Sequence, residues 1–175
     1  MNLVSSPLTP IQLNWVKSKI KGRQELIANG SILGSLQREG FWKPVSYAEF
    51  KGKMWSFRRN GCTRTEILEE PEARPVAEFK TNWLGGGTLS FDDGQRFQLV
   101  STGFWRPVWC WLNDQGKTLL EVAPHKKSVS IIDAVDTGNW HSSQSRLPLL
   151  IMFSWHQILK NNDDAAAVAV FAATG

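Results

Sequence analysis

The chain has 175 residues, 42% apolar and 21% charged, which is the make-up of one globular domain and excludes a disordered or fibrous one. At that length about 70% of the unfolded surface can be buried. Twenty basic residues against sixteen acidic ones leave a net charge of +4; this permits attraction to anionic lipid or nucleic acid without requiring either, and no nucleic acid is expected.

Residues 1–8 are expected to form a loose tail. The start, MNLVSSPLTP, lacks the basic-then-apolar order of a secretory signal, so a cytoplasmic, reduced protein, at most peripheral to a membrane, is expected. Ile11, Leu13 and Trp15 alternate as in a strand after Pro10, although Thr9-Pro10 could also start a short helix. Arg23 to Ala28 reads as a second strand, Asn29-Gly30 as a two-residue hairpin turn, and Ser31 to Gln37 as the returning strand. The same grammar repeats. Val45–Lys51 and Lys53–Arg58 flank Gly52, and Asn60-Gly61 turns into Cys62–Glu69. Val76–Thr81, Thr88–Phe91, Gln95–Ser101, Val108–Asn113, Lys117–Ala123 and Ser128–Ala134 follow, with turns at Asp92-Asp93-Gly94 and Asp114-Gln115-Gly116. About twelve short strands with a turn every 8–12 residues indicate an all-β barrel or sandwich.

Gly40-Phe41-Trp42-Lys43-Pro44-Val45 recurs as Gly103-Phe104-Trp105-Arg106-Pro107-Val108, which argues for two similar halves over 9–135. The Phe-Trp pair of each copy is expected to anchor a corner in the core. The nine Trp and nine Phe against one Tyr suggest a thick aromatic core, with a stacking surface as the rival reading.

Asp136 to Arg146 reads as a polar loop. Leu147 to Lys160, LPLLIMFSWHQILK, then leaves no polar face, with Ser145 as the expected N-cap and Pro148 in the first turn. Such a helix is surrounded by lipid or by protein. Fourteen residues reach roughly 21 Å, short of the ~30 Å apolar slab of a bilayer, so burial by protein is the reading. Asn161 to Asp164 is expected to break the helix, with Asp163 capping a short apolar element over 165–173, either helix or strand. A barrel of eight strands is filled by its own side chains, whereas a larger one accommodates a helix about 10 Å across. The expected fold is therefore a mainly β, roughly 12-stranded antiparallel barrel enclosing an apolar C-terminal helix, in a single domain.

Leu89-Ser90-Phe91-Asp92-Asp93-Gly94, leading to Phe104-Trp105, and the block Leu119 to Val122 carry a resemblance. Together with the strand count and the terminal helix, the pattern over residues 11–173 resembles the tubby C-terminal-like superfamily, at its phospholipid scramblase and LURP-one-related end. The resemblance implies a barrel around a central helix. The chain has no cysteine-rich palmitoylation segment and no DxDxDG calcium loop, so no activity is carried over.

Candidate chemistry is sparse. His125, His141 and His156 share no metal spacing, Cys62 and Cys110 form no CxxC, and there is no GxSxG. His125 reads as a surface-turn residue, His156 as a core or helix-end histidine bonded to a neighbour, and Cys110 as a buried inert thiol. Asp92-Asp93 reads as a turn, and Gly85-Gly86-Gly87 lacks the Lys-Ser/Thr of a phosphate loop. No catalytic residue, metal ligand or cofactor is assigned, and an enzyme is not expected. The basic residues remain. Lys17, Lys19, Lys21 and Arg23 alternate, which on a strand would place all four on one face; Arg58, Arg59 and Arg64 form a second group, and Lys126 and Lys127 beside His125 a third. Gathered at one end of the barrel, they would hold a phosphate or an anionic lipid headgroup, and a protein partner at this basic surface is the other reading. The rival readings are a solvated strand face and, for the interior, a pocket for a small apolar ligand.

Overall fold

A computed structural model describes residues 11–40, 45–103, 105–133 and 146–174, with side chains in the last segment as far as 166. The tail 1–8, the Ser145 cap, the loop 136–145, His141 and residues Phe41–Pro44 and Phe104 of the echo lie outside them.

Twelve antiparallel strands close into one barrel in simple chain order, the first pairing with the last. They are β1 (Ile11–Lys17), β2 (Arg23–Ala28), β3 (Ser31–Glu39), β4 (Val45–Phe50), β5 (Lys53–Asn60) and β6 (Arg64–Glu70). The second half comprises β7 (Arg74–Thr81), β8 (Gly87–Phe91), β9 (Arg96–Thr102), β10 (Val108–Leu112), β11 (Thr118–Ala123) and β12 (Ser128–Ile131). Each consecutive pair is antiparallel and adjacent, so the connections alternate between the two ends of the barrel. The turn residues carry the required backbone: Asn29 and Gly30 have φ of 50° and 77°, the left-handed pair of a type I′ turn. The echoed segments join β3 to β4 and β9 to β10, six strands apart on opposite sides of the barrel, and Gly40 and Gly103 enter them at φ of 85° and 84°.

Inward positions alternate along each strand. Leu13 and Trp15 on β1, Phe57 on β5, Phe79 on β7 and Trp111 on β10 are almost wholly buried. They enclose α1 (Leu147–Thr174), whose residues Leu147 to Trp155, Pro148 aside, are at most 4% exposed all round. Phe153 is the hub. Its ring centroid lies 5.2 Å from Phe57, 4.9 Å from Phe79 and 6.4 Å from Trp111. Trp155 stacks on Trp15 at 5.3 Å. Ser154 on the helix is fully buried as well; it accepts from Trp111 Nε1 at 2.6 Å and donates to the Leu150 carbonyl at 2.6 Å, so both partners are satisfied. Gly87 marks a close approach, since a Cβ there would lie 2.1 Å from the Lys80 carbonyl oxygen.

The helix does not stop at Lys160. It runs through Asn161–Asp164 to Thr174, so Asp163 is an interior helical residue and not a cap. No proline or glycine falls between Leu149 and Thr174 to end it. The polar run marks where the helix leaves the barrel: residues 162–166 are all exposed. At ~1.5 Å per residue the 28-residue helix is roughly 42 Å long. Among the described residues, no helix is long and apolar enough to cross a membrane.

Candidate anion-binding site

The helix enters one end of the barrel at Arg146, which pairs with Asp93 in the β8–β9 turn at 2.8 Å and lies over the Phe91 ring at 4.2 Å. It leaves at the other, where Gln157 and Asn161 donate to the Gly85 carbonyl in the β7–β8 turn, each at 3.4 Å. The two ends differ in charge. At the entry end three cations are offset: Arg74 pairs with Glu69, Arg146 with Asp93 and Lys117 with Asp133. A polar depression of about 530 Å³ there is lined by such groups of both signs.

All nine predicted cations belong to the exit end, because the β1–β2, β5–β6 and β11–β12 connections all lie there. They do not form one comb. β1 ends at Lys17, and the chain turns over Ser18–Gly22, closed by the Ser18 amide donating to the Arg23 carbonyl at 3.1 Å. Lys17 therefore sits at the rim, Lys19 and Lys21 on the hairpin, and Arg23 on the outer wall 3.8 Å from Glu25. The single strand face expected for these four is corrected by this turn, whose Gly22 has φ of 78°. Arg58 and Arg64 also lie on the outer wall, offset by Glu70 at 3.4 Å and Glu78 at 3.7 Å. Lys126 and Lys127 are exposed in and after the single 3-10 turn Pro124–Lys126. Lys17, Lys19, Lys21, Arg59, Lys126 and Lys127 have no carboxylate partner among the described residues.

The same end displays apolar side chains that the sequence reading missed. Trp83 is 92% exposed and Leu84 64% on the β7–β8 turn, Trp105 is 89% exposed on the β9–β10 turn, and Ile20 projects from the β1–β2 turn. Trp105 is thus not the core anchor expected of it. Of the other described tryptophans, Trp15, Trp55, Trp109, Trp111 and Trp155 are buried, as a thick core requires.

Beneath this rim, between α1 and strands β3 to β6, lies a pocket of about 50 Å³ lined by Arg38, Ser46, Arg59, Thr65, His156 and Lys160. Arg38 pairs with Asp163, and Lys160 with Asp164 at 3.3 Å. Arg59 donates its Nε to the Gly61 carbonyl at 3.0 Å, leaving the outer edge of its guanidinium open. The imidazole of His156 shares a hydrogen bond with Ser46 Oγ at 2.8 Å. Burial, helped by Arg38 and Lys160, pushes its pKa down to about 3, so it is neutral at ordinary pH. Arg38 and Lys160 were legible in principle: Arg38 continues the inward alternation of Leu36, and Lys160 lies one helical turn beyond His156.

His125 lies exposed in its turn as expected. Cys110 is buried, and burial raises its thiol pKa, while Cys62 is exposed at the exit end. The lumen that an apolar ligand would need is occupied by Leu149, Leu150 and Phe153. Among the described residues no group of three or more His, Cys, Asp and Glu side chains is placed to hold a metal ion. No protein-family model, curated protein or solved structure matches the chain.

Proposed function

We propose that this is a non-enzymatic barrel of the tubby-like kind that docks, by its exit end, on an anionic membrane surface. The observation that carries this reading is the coincidence of unpaired cations and exposed tryptophans on one set of turns. Trp83, Leu84, Trp105 and Ile20 project from connections at the same end as Lys19, Lys21, Lys126 and Lys127. Tryptophan settles at the headgroup level of a bilayer, and each lysine near an anionic leaflet contributes about 1 kcal/mol. A purely solvated face would explain the lysines; it gives no reason for two tryptophans about nine-tenths exposed. The helix also leaves the barrel here, with residues 162–166 exposed.

Co-sedimentation with vesicles tests this. Phosphatidylserine-rich vesicles are expected to bind the protein at low salt and release it at high salt, since exposed charges are screened over about 10 Å at 0.1 M. Replacing Lys19, Lys21, Lys126 and Lys127 by Gln is expected to weaken binding by at least about a hundredfold, and Trp83→Ala with Trp105→Ala to weaken it with little change in salt dependence. No binding at low salt, or equal binding to neutral vesicles, would overturn the reading.

A further inference from the structure

We propose that the pocket between α1 and strands β3 to β6 is a binding site for one phosphate-type oxyanion, and that the Asp163 and Asp164 carboxylates are the groups this anion displaces. Three cations from three separate elements, Arg38 of β3, Arg59 of β5 and Lys160 of α1, converge on it. The Ser46 and Thr65 hydroxyls, 3% and 2% exposed by residue, and His156 supply the polar part of the wall, and Leu36 and Leu159 an apolar part. Its 50 Å³ holds roughly a few water molecules, which is the room a single tetrahedral oxyanion needs and too little for a larger polar ligand.

Charge decides the ligand class. The two carboxylates at the mouth offset two of the three cations, leaving the guanidinium edge of Arg59 without an anion. The Asp163 and Asp164 side chains are each more than half exposed; ion pairs of that kind are weak, so giving them up costs little affinity. An anion set among two guanidinium groups and an ammonium gains bidentate, charge-assisted hydrogen bonds that a water-exposed carboxylate does not match. The helical carboxylates therefore act as internal stand-ins for the ligand, holding the cations in place while the site waits.

Phosphate in this site comes either free in solution or as a lipid headgroup; only the second source rests on the membrane reading above. Inorganic phosphate titrated into the whole protein at fixed ionic strength, followed by calorimetry, is expected to bind once per chain. Asp163→Asn with Asp164→Asn is expected to tighten that binding several-fold, because the competitors are gone. Arg59→Gln and Lys160→Gln, both near the rim and tolerable to the fold, are each expected to weaken it about tenfold. No saturable binding in the Asn variant, or Arg59→Gln and Lys160→Gln chains that bind phosphate as the parent does, would overturn the site. A second arm uses vesicles containing phosphatidic acid. Release of the protein from them by inorganic phosphate, in the parent but not in Arg59→Gln, identifies the headgroup as the source. Phosphate that saturates the pocket without releasing vesicles identifies the free ion. The phosphatidylserine experiment above is independent of both arms, so the membrane reading and the pocket can fail separately.

Discussion

Phe153→Ala is expected to destabilise the protein by about 3–5 kcal/mol, a large part of the 5–15 kcal/mol typical of a domain. Phe153 is fully buried, and its ring meets Phe57, Phe79 and Trp111 from three different strands, with His156 5.5 Å away on its own helix. Loss of the ring forfeits the transfer of its apolar surface. It also leaves a cavity that cannot collapse, because the surrounding groups are fixed to a closed sheet that does not yield at one strand alone. Leu84→Ala is the control: its side chain is 64% exposed, and a change within about 0.5 kcal/mol is expected. Guanidinium unfolding midpoints compare the two. A Phe153→Ala cost no greater than that of Leu84→Ala would mean that the helix is not packed against the wall.

The second large effect is the response to acid. His156 titrates at about 3 in the folded chain, against 6.5 for an ordinary histidine. Between those values the unfolded chain binds a proton that the folded chain refuses, so stability is complete above about pH 6.5 and falls as the pH drops towards 3. The limiting slope is about 1.4 kcal/mol per pH unit. Desolvation against the Phe57 and Phe153 rings is the main cause, and Arg38 and Lys160 add to it. His156→Gln keeps a hydrogen-bonding partner for Ser46 and removes the titration. Its stability is therefore expected to vary much less between pH 6 and 4.5, a window chosen above the range where depressed carboxylates such as Asp93 take up protons. Parallel stability–pH curves for the two chains would show that the imidazole is solvated in the folded state.

These two residues also mark what could be read in the sequence. The barrel was legible because every link in it is local: alternating inward residues such as Leu13 and Trp15, and turn pairs such as Asn29-Gly30. The helix was legible as a buried one because a sheet on all sides leaves it no polar face. Its end was misread, since Asn161–Asp164 looks like a break to a local rule and is in fact the point where burial stops. The charges were half legible. Alternation at Lys17–Arg23 implied a strand, and the hairpin closed by Arg23 and Ser18 replaced it. Yet the parity of the β1–β2, β5–β6 and β11–β12 connections brought the three groups of predicted cations to one end. The pocket was not legible, because Arg38, Ser46, Arg59, Thr65 and Lys160 are spread over some 120 positions of the chain and meet only through barrel closure and helix insertion.

The functional account stands on the exit end being the face that meets an anionic surface, and Cys62 offers a direct reporter of it. This thiol is exposed in the β5–β6 turn at that end, while Cys110 is buried, so a polarity-sensitive fluorophore attaches at one place. A second chain, Cys62→Ser with Asp114→Cys, carries the probe on the β10–β11 turn at the opposite end. On addition of phosphatidylserine vesicles, the account expects a blue shift from the Cys62 probe and none from the probe at position 114. A shift at position 114 equal to or greater than that at Cys62, or no shift at either, would contradict it.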